Sequence, residues 1–241
     1  MARDLLFSND DSLPDDVAAA RRTSDVSDNL IERSVPLYRE MQRMTVELAA
    51  RFAQPETTLY DLGCATGLTL VELDAAVDPS VRFVGIDNSP EMIERAAARL
   101  RAHGLSRQHE LRTSDLLGDV QLPDASVVVL LLTLELVRPL QRAALVRTIA
   151  GALQPGGCLI LVERVTTADA AINLAFNDFY RDMTHRNGYP AARALPQRET
   201  LEHVLVPFHA QESRDLLLQA GFARCEAFFR WYNFVGLVAL R

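Results

Sequence analysis

The chain has 241 residues, a formal net charge of -7 and a hydrophobic fraction of 49%, and all 25 of its Lys+Arg residues are arginine. Without lysine no internal Schiff base can form, and neither a Gly-Lys-Ser/Thr phosphate loop nor the protein-kinase strand lysine exists. Pyridoxal-phosphate enzymes, amine-nucleophile aldolases and those nucleotide-binding families are thereby excluded. The acidic balance argues against a broad phosphate-binding surface, so no direct contact with nucleic acid is expected, and any anionic substrate would be met by arginine forks.

Cys64, Cys158 and Cys225 are far apart and contain no C-x-x-C pair. They read as reduced core thiols of a cytoplasmic protein, with no metal expected. Residues 1–7 carry no long apolar run, and no stretch reaches the ~20 apolar residues that span a bilayer, so neither a secretion signal nor a membrane role is expected.

In chain order, residues 8–29 are acidic and poor in large apolar side chains, as in a loose arm. Residues 30–53 carry apolar side chains at helical spacing, broken or started at Pro36, and offer either a sheet-covering face or a dimer interface. Strand-length apolar runs then alternate with helical patterns. Leu59–Leu62 leads into a Gly-rich loop and a helix over Thr69–Val77, and Val81–Ile86 into a helix ending near Arg101. His109–Thr113 is a short strand. Val127–Leu132 reads as a strand buried on both faces, followed by a helix that Gln154-Pro-Gly-Gly ends before the strand Cys158–Val162. Residues 169–206 are mostly helical with a break at Asn187-Gly-Tyr-Pro. A helix over Gln211–Ala220 is capped by Gly221, and strands Arg224–Trp231 and Phe234–Leu240 share a short link that requires an antiparallel pair. The expected fold is therefore α/β, a doubly wound, mostly parallel seven-stranded sheet ending in a hairpin. It is read as one domain over 1–241, with an N-terminal arm and helices over 1–53 and a helical covering over 165–210.

The strongest motif is Asp61-Leu-Gly-Cys-Ala-Thr-Gly67 at a strand end. Gly63 permits a tight turn, Ala65 allows fairly close ligand approach and Gly67 lets the helix pack on the strand. Asp61 and the helix-start N–H groups suit a ligand with ammonium and carboxylate ends. Asp87 ends the second strand, 20 residues beyond Gly67, where a carboxylate accepts from ribose hydroxyls. Asp115 follows the third strand and can accept from an adenine amino group. Each carboxylate alone reads as a helix cap or loop residue. Together at three successive strand ends they form a specific set, and the full G-x-G-x-x-G more usual in nicotinamide enzymes is absent.

This set resembles the seven-stranded S-adenosylmethionine-dependent methyltransferases. More closely, the chain resembles the bacterial carboxy-S-adenosyl-L-methionine synthase family. The strings that carry this are Arg3-Asp-Leu-Leu-Phe-Ser8, Ile31-Glu-Arg-Ser-Val-Pro-Leu-Tyr38, Tyr60-Asp-Leu-Gly-Cys64, Gly85-Ile-Asp-Asn-Ser-Pro-Glu-Met-Ile-Glu-Arg95, Asn187-Gly-Tyr189, Gln197-Arg198 and Asn233-Phe-Val-Gly-Leu-Val-Ala-Leu240. The resemblance implies S-adenosyl-L-methionine or its carboxylated form as cofactor, prephenate as carboxyl donor and phenylpyruvate as co-product. It further implies a homodimer and a separate enzyme that uses the product on a tRNA wobble uridine. Tyr38 and Arg198 fall at positions that hold the new carboxylate. Gly63, Cys64, Ala65, Asp87, Asn88, Asp115 and Leu116 fall at cofactor contacts, and Leu131 stands on the floor of that site where the family usually has Asn. The donor is a dicarboxylate, so Arg164, Arg181, Arg186 and Arg193 are further candidates, each also readable as a surface residue. A conventional small-molecule methyltransferase, using Tyr180, Asp178 or His185, is the second reading, and a non-catalytic cofactor-binding protein the third.

Overall fold

A computed structural model of the chain describes residues 24–118, 120–189 and 206–241. Seven strands, β1 (Thr58–Leu62), β2 (Arg82–Asp87), β3 (His109–Thr113), β4 (Ala125–Leu131), β5 (Leu153–Arg164), β6 (Arg224–Trp231) and β7 (Phe234–Leu240), form one sheet in the order β3-β2-β1-β4-β5-β7-β6. The first five are parallel, and β7 runs antiparallel to β5 and β6. This is the expected α/β sheet with its terminal hairpin. All five residues of β1 are buried, as a central strand covered on both faces requires.

Alternate residues of the strands point to opposite faces and make two separate cores. On one face Leu59, Phe83, Val127 and Ile160 pack under α2 (Tyr38–Phe52), α3 (Leu68–Asp74) and α4 (Pro90–His103). On the other, Tyr60, Val84, Val128 and Leu161 pack under α5 (Pro139–Ala152) and α7 (Ala210–Gln219). A third, smaller cluster joins α2, the hairpin and α6 (Ala170–Arg186) through Met41, Val162, Phe234 and Tyr180. Helix α1 (Ser24–Ser34) precedes α2, and Pro36 falls in the break between them.

Met41, Thr45 and Ala49 of α2 are fully buried against the sheet, while Met44, Val46, Leu48 and Phe52 are half-buried and Leu37 is exposed. Local chemistry explains the starts of α4 and α6: Ser89 accepts from Met92 N (3.3 Å) before Pro90, and Asp169 accepts from Ile172 N (2.9 Å).

Of the boundaries that differ from the sequence reading, three have a visible cause. Helix α3 stops at Asp74 rather than Val77, because the buried Arg107 guanidinium, stacked on Phe83, binds the carbonyls of Asp74, Val77, Asp78 and Val81. Gln154–Gly157 does not precede β5 but forms its beginning. A side chain at Gly157 would lie 2.5 Å from the Ser126 carbonyl oxygen, so only glycine lets the strand run on there beside β4. Helix α7 is closed by Ala220, whose N–H reaches Leu216 O at 3.0 Å, and Gly221 at φ 111 lies just beyond.

Candidate active site

Strand β1 pairs with β2 on one side and β4 on the other. The chain direction of winding reverses there, and in such sheets ligands bind outside the carboxyl ends of the strands at that point. Asp61 is the penultimate residue of β1 and the Gly63–Gly67 loop follows that strand, Asp87 ends β2, Asp115 and Leu116 follow β3, and Leu131 ends β4. The fold thus brings all of them to one edge.

The loop is anchored by backbone bonds that only a glycine-initiated turn permits. Gly63, at φ 82, and Cys64 both donate to Ile86 O at 2.7 and 3.1 Å. Ala65 holds a positive φ of 45 and donates to Asp87 Oδ2 at 3.0 Å, while Asp87 Oδ1 accepts from Ser89 N at 2.9 Å. Each oxygen of this buried carboxylate keeps a second lone pair. Thr66 Oγ1 accepts from Arg99 Nη1 at 2.9 Å, which ties the loop to α4. Gly67 also has roles of its own in the helix layer. Its left-handed φ of 74 starts α3, and an added Cβ would meet Ala96 of α4 at 3.1 Å.

Asp61 is 2% exposed, and its Oδ2 has no hydrogen-bond partner among the described residues. Burial, with the Asp87 charge added, pushes its carboxyl up to about 7. Asn88 Oδ1 is also buried without a partner there. Asp115 is exposed and its Oδ1 accepts from Leu117 N at 3.0 Å, so one oxygen caps its own turn, while Leu116 is buried.

Tyr38 opens α2 directly after Leu37, which adopts a left-handed φ of 51. Gln42 Nε2 reaches both the Tyr38 hydroxyl (2.8 Å) and Thr69 Oγ1 (3.1 Å), linking that phenol to the first turn of α3. Tyr38, Leu131 and Tyr180 border the same small apolar cluster. Leu132 and Tyr232 also hold positive φ, so four of the six non-glycine residues of this kind among the described residues, Leu37, Ala65, Leu132 and Tyr232, lie at this edge. Arg198 and Arg193 lie outside the described residues. Arg181 is exposed and pairs with Asp178, and Arg186 and His185 are exposed.

The sequence reading missed a buried polar group beside this edge. Glu135 follows β4, Glu163 lies near the end of β5, and Arg142 reaches in from α5. Arg142 and Glu163 are each 1% exposed. The guanidinium donates to Val137 O (2.8 Å) and Glu135 O (2.9 Å) and stacks on Phe208. Burial raises both carboxyls, Glu135 to about 7. Charged residues inside otherwise apolar runs, Glu163 after Cys158–Val162 and Arg142 within the apolar face of α5, were the available signal.

The comparisons with known proteins agree with this geometry. A methyltransferase-domain model matches residues 59–157. A carboxy-S-adenosyl-L-methionine synthase of Methylococcus capsulatus is 42% identical over 242 residues, covering 100% of both chains. The chain belongs to the carboxy-S-adenosyl-L-methionine synthase family. The synthase of Citrobacter koseri is 34% identical over 99% of this chain and 97% of its own. Among solved structures, an O-methyltransferase family protein from Burkholderia thailandensis superposes with a TM-score of 0.66 at 21% identity, covering 93% of this chain. This chain spans 60% of that longer one, and the likeness concerns the fold. As a member of the synthase family the protein is an S-adenosylmethionine-using enzyme. Its residues fit that molecule: the orphaned Asp61 oxygen suits an ammonium group, and Asp87 retains acceptor capacity for a diol.

No helix among the described residues is long and apolar enough to cross a membrane.

Proposed function

We propose that this synthase-family enzyme moves a carboxyl group from prephenate to the methyl carbon of S-adenosylmethionine, and that its product serves a separate enzyme acting on a tRNA wobble uridine. The observation that carries this reading is the full-length relation to named synthases, which extends beyond the shared nucleotide fold into the N-terminal helices and the C-terminal third. The balance closes without a side-chain base. Prephenate releases its ring carboxyl group and its hydroxide to become phenylpyruvate. The hydroxide leaves with the methyl proton as water, and the carboxyl carbon bonds to the methyl carbon. The sulfonium acidifies that methyl group, and the enclosure keeps the released fragment beside it.

In this reading Asp61 faces the methionine ammonium and Asp87 the ribose diol. Asn88, Asp115 and Leu116 line the adenosine side, Gly63, Cys64, Ala65 and Gly67 form the loop beneath, and Leu131 closes the floor. Tyr38 and Arg198 hold the new carboxylate. The enzyme works as a homodimer in the cytoplasm and touches no nucleic acid.

Incubation with S-adenosylmethionine, with and without prephenate, followed by mass spectrometry tests the reaction. A sulfonium product heavier by one carboxyl group is expected only with prephenate. A methylated acceptor in place of that product would instead make the protein a conventional methyltransferase.

The raised Asp61 carboxyl gives a second expectation. The apo site holds this proton below pH 7, and an incoming ammonium favours the carboxylate. Binding of S-adenosylmethionine at pH 6 should therefore release close to one proton, and at pH 8 almost none. Calorimetry in two buffers of different ionisation enthalpy measures this, and Asp61→Asn should abolish the difference. The sign for stability follows from the same shift. The folded value lies above the ordinary 3.8, so Asp61 favours the apo fold below that pH, and its contribution is lost as pH rises through about 7.

A further inference from the structure

Arg164 ends β5, opposite Phe234 of the hairpin. Three contacts fix it. Its guanidinium lies over the Tyr180 ring with the central carbon 4.6 Å from the centroid, Nη2 donates to Asn177 Oδ1 at 3.1 Å, and its backbone N–H donates to the Glu135 carboxylate. Yet the guanidinium forms no ion pair among the described residues; Glu135 is engaged with the backbone instead. This contrasts with Arg181, spent on Asp178, and Arg107, spent on Asp74. The Glu135 carboxylate lies near enough for the two charges to act on each other, but its short contact is with the backbone N–H, so the half-buried guanidinium, immobilised by a ring and an amide, keeps donors for an external anion.

Its position sets which anion. Tyr180 beneath it borders the same apolar cluster as Tyr38 and Leu131, and packs on Phe234 with centroids 5.7 Å apart. A ligand bridging Tyr38 and Arg164 crosses apolar and aromatic side chains and needs an acidic group at each end. We propose that Arg164 anchors the carboxylate of the donor that is not transferred, so that the enzyme selects dicarboxylic acids with an apolar ring body and retains hold of the keto-acid co-product. This rests on the carboxyl-transfer reading, in which Tyr38 faces the transferred group.

The test uses direct binding. Trp231 is the single tryptophan, 6.3 Å from Phe234 between ring centroids, and its fluorescence reports on this cluster. The full chain, saturated with S-adenosylhomocysteine, is titrated with prephenate and separately with phenylpyruvate. Arg164→Gln is expected to weaken both by about 10- to 100-fold, the loss of a charge-assisted pair, while S-adenosylhomocysteine affinity stays within about twofold. Arg164→Lys keeps the charge without the planar stack and should fall between. Unchanged binding of the acids in Arg164→Gln overturns the proposal. So does an equal loss of S-adenosylhomocysteine, or failure of both variants to fold, since either makes the residue structural. The two readings separate cleanly. Product from the wild type with unaltered acid binding in Arg164→Gln refutes the anchor alone. Arg164-dependent acid binding without carboxylated product refutes the transfer alone.

Discussion

Asp87→Ala should lower the affinity for S-adenosylmethionine by roughly 100- to 10,000-fold. In the proposed site this carboxylate gives at least two charge-assisted bonds to the ribose, each worth about 1.5–3 kcal/mol. It also orients the loop, because Ala65 N and Ser89 N both donate to it. Asp87→Asn keeps the size and one carbonyl acceptor, and should lose less. Isothermal titration of both variants, with thermal unfolding to confirm that β2 still packs, gives the comparison. A loss smaller than about tenfold in Asp87→Ala would remove Asp87 from the ribose subsite.

The largest effect on stability is expected at Arg142. Its guanidinium is 1% exposed, holds two carbonyls of the turn after β4 and feels the charge of two buried glutamates, Glu163 and Glu135. Arg142→Met leaves those carbonyls and the Glu135–Glu163 pair without it. Breaking a buried charge group in this way costs about 3–5 kcal/mol, a fall in Tm of roughly 6–20 °C for a chain of this size. The double variant Arg142→Met with Glu163→Leu should recover a good part of that, since an apolar replacement of a whole buried pair is often tolerated. The glutamates carry raised carboxyl values, so the single variant should be least stable, relative to wild type, at alkaline pH. A change below about 1 kcal/mol in chemical denaturation at pH 8 would show that the guanidinium is dispensable.

The sheet was legible because both of its signals are local. A strand buried on both faces must be apolar throughout, as in Val127–Leu130, and a two-residue link at Tyr232-Asn233 leaves no room for a parallel crossover. The clustering of Asp61, Asp87 and the Gly63–Gly67 loop was legible for a topological reason, since each lies at or just beyond the carboxyl end of a parallel strand and those ends share one edge. What escaped the sequence depends on tertiary partners. Nothing in the spacing says that Arg107 reaches back to the carbonyls beyond α3, or that Gly157 admits the Ser126 carbonyl. The four arginines proposed for a dicarboxylate looked alike in sequence. Only Tyr180 and Asn177 around Arg164 distinguish it from the ion-paired Arg181.

The left-handed residues around the carboxyl edge have a consequence for how this enzyme can change. Leu37, Ala65, Leu132 and Tyr232 each carry a side chain where the backbone favours glycine, at a cost of order 1–3 kcal/mol apiece. Relief is a single substitution away at each position, so the readiest routes to a hardier protein pass through the walls of its own site. Selection for thermal robustness alone would be drawn to these four positions and would trade side chains beside the ligand for backbone comfort. A lineage that keeps them is being held there by something other than folding.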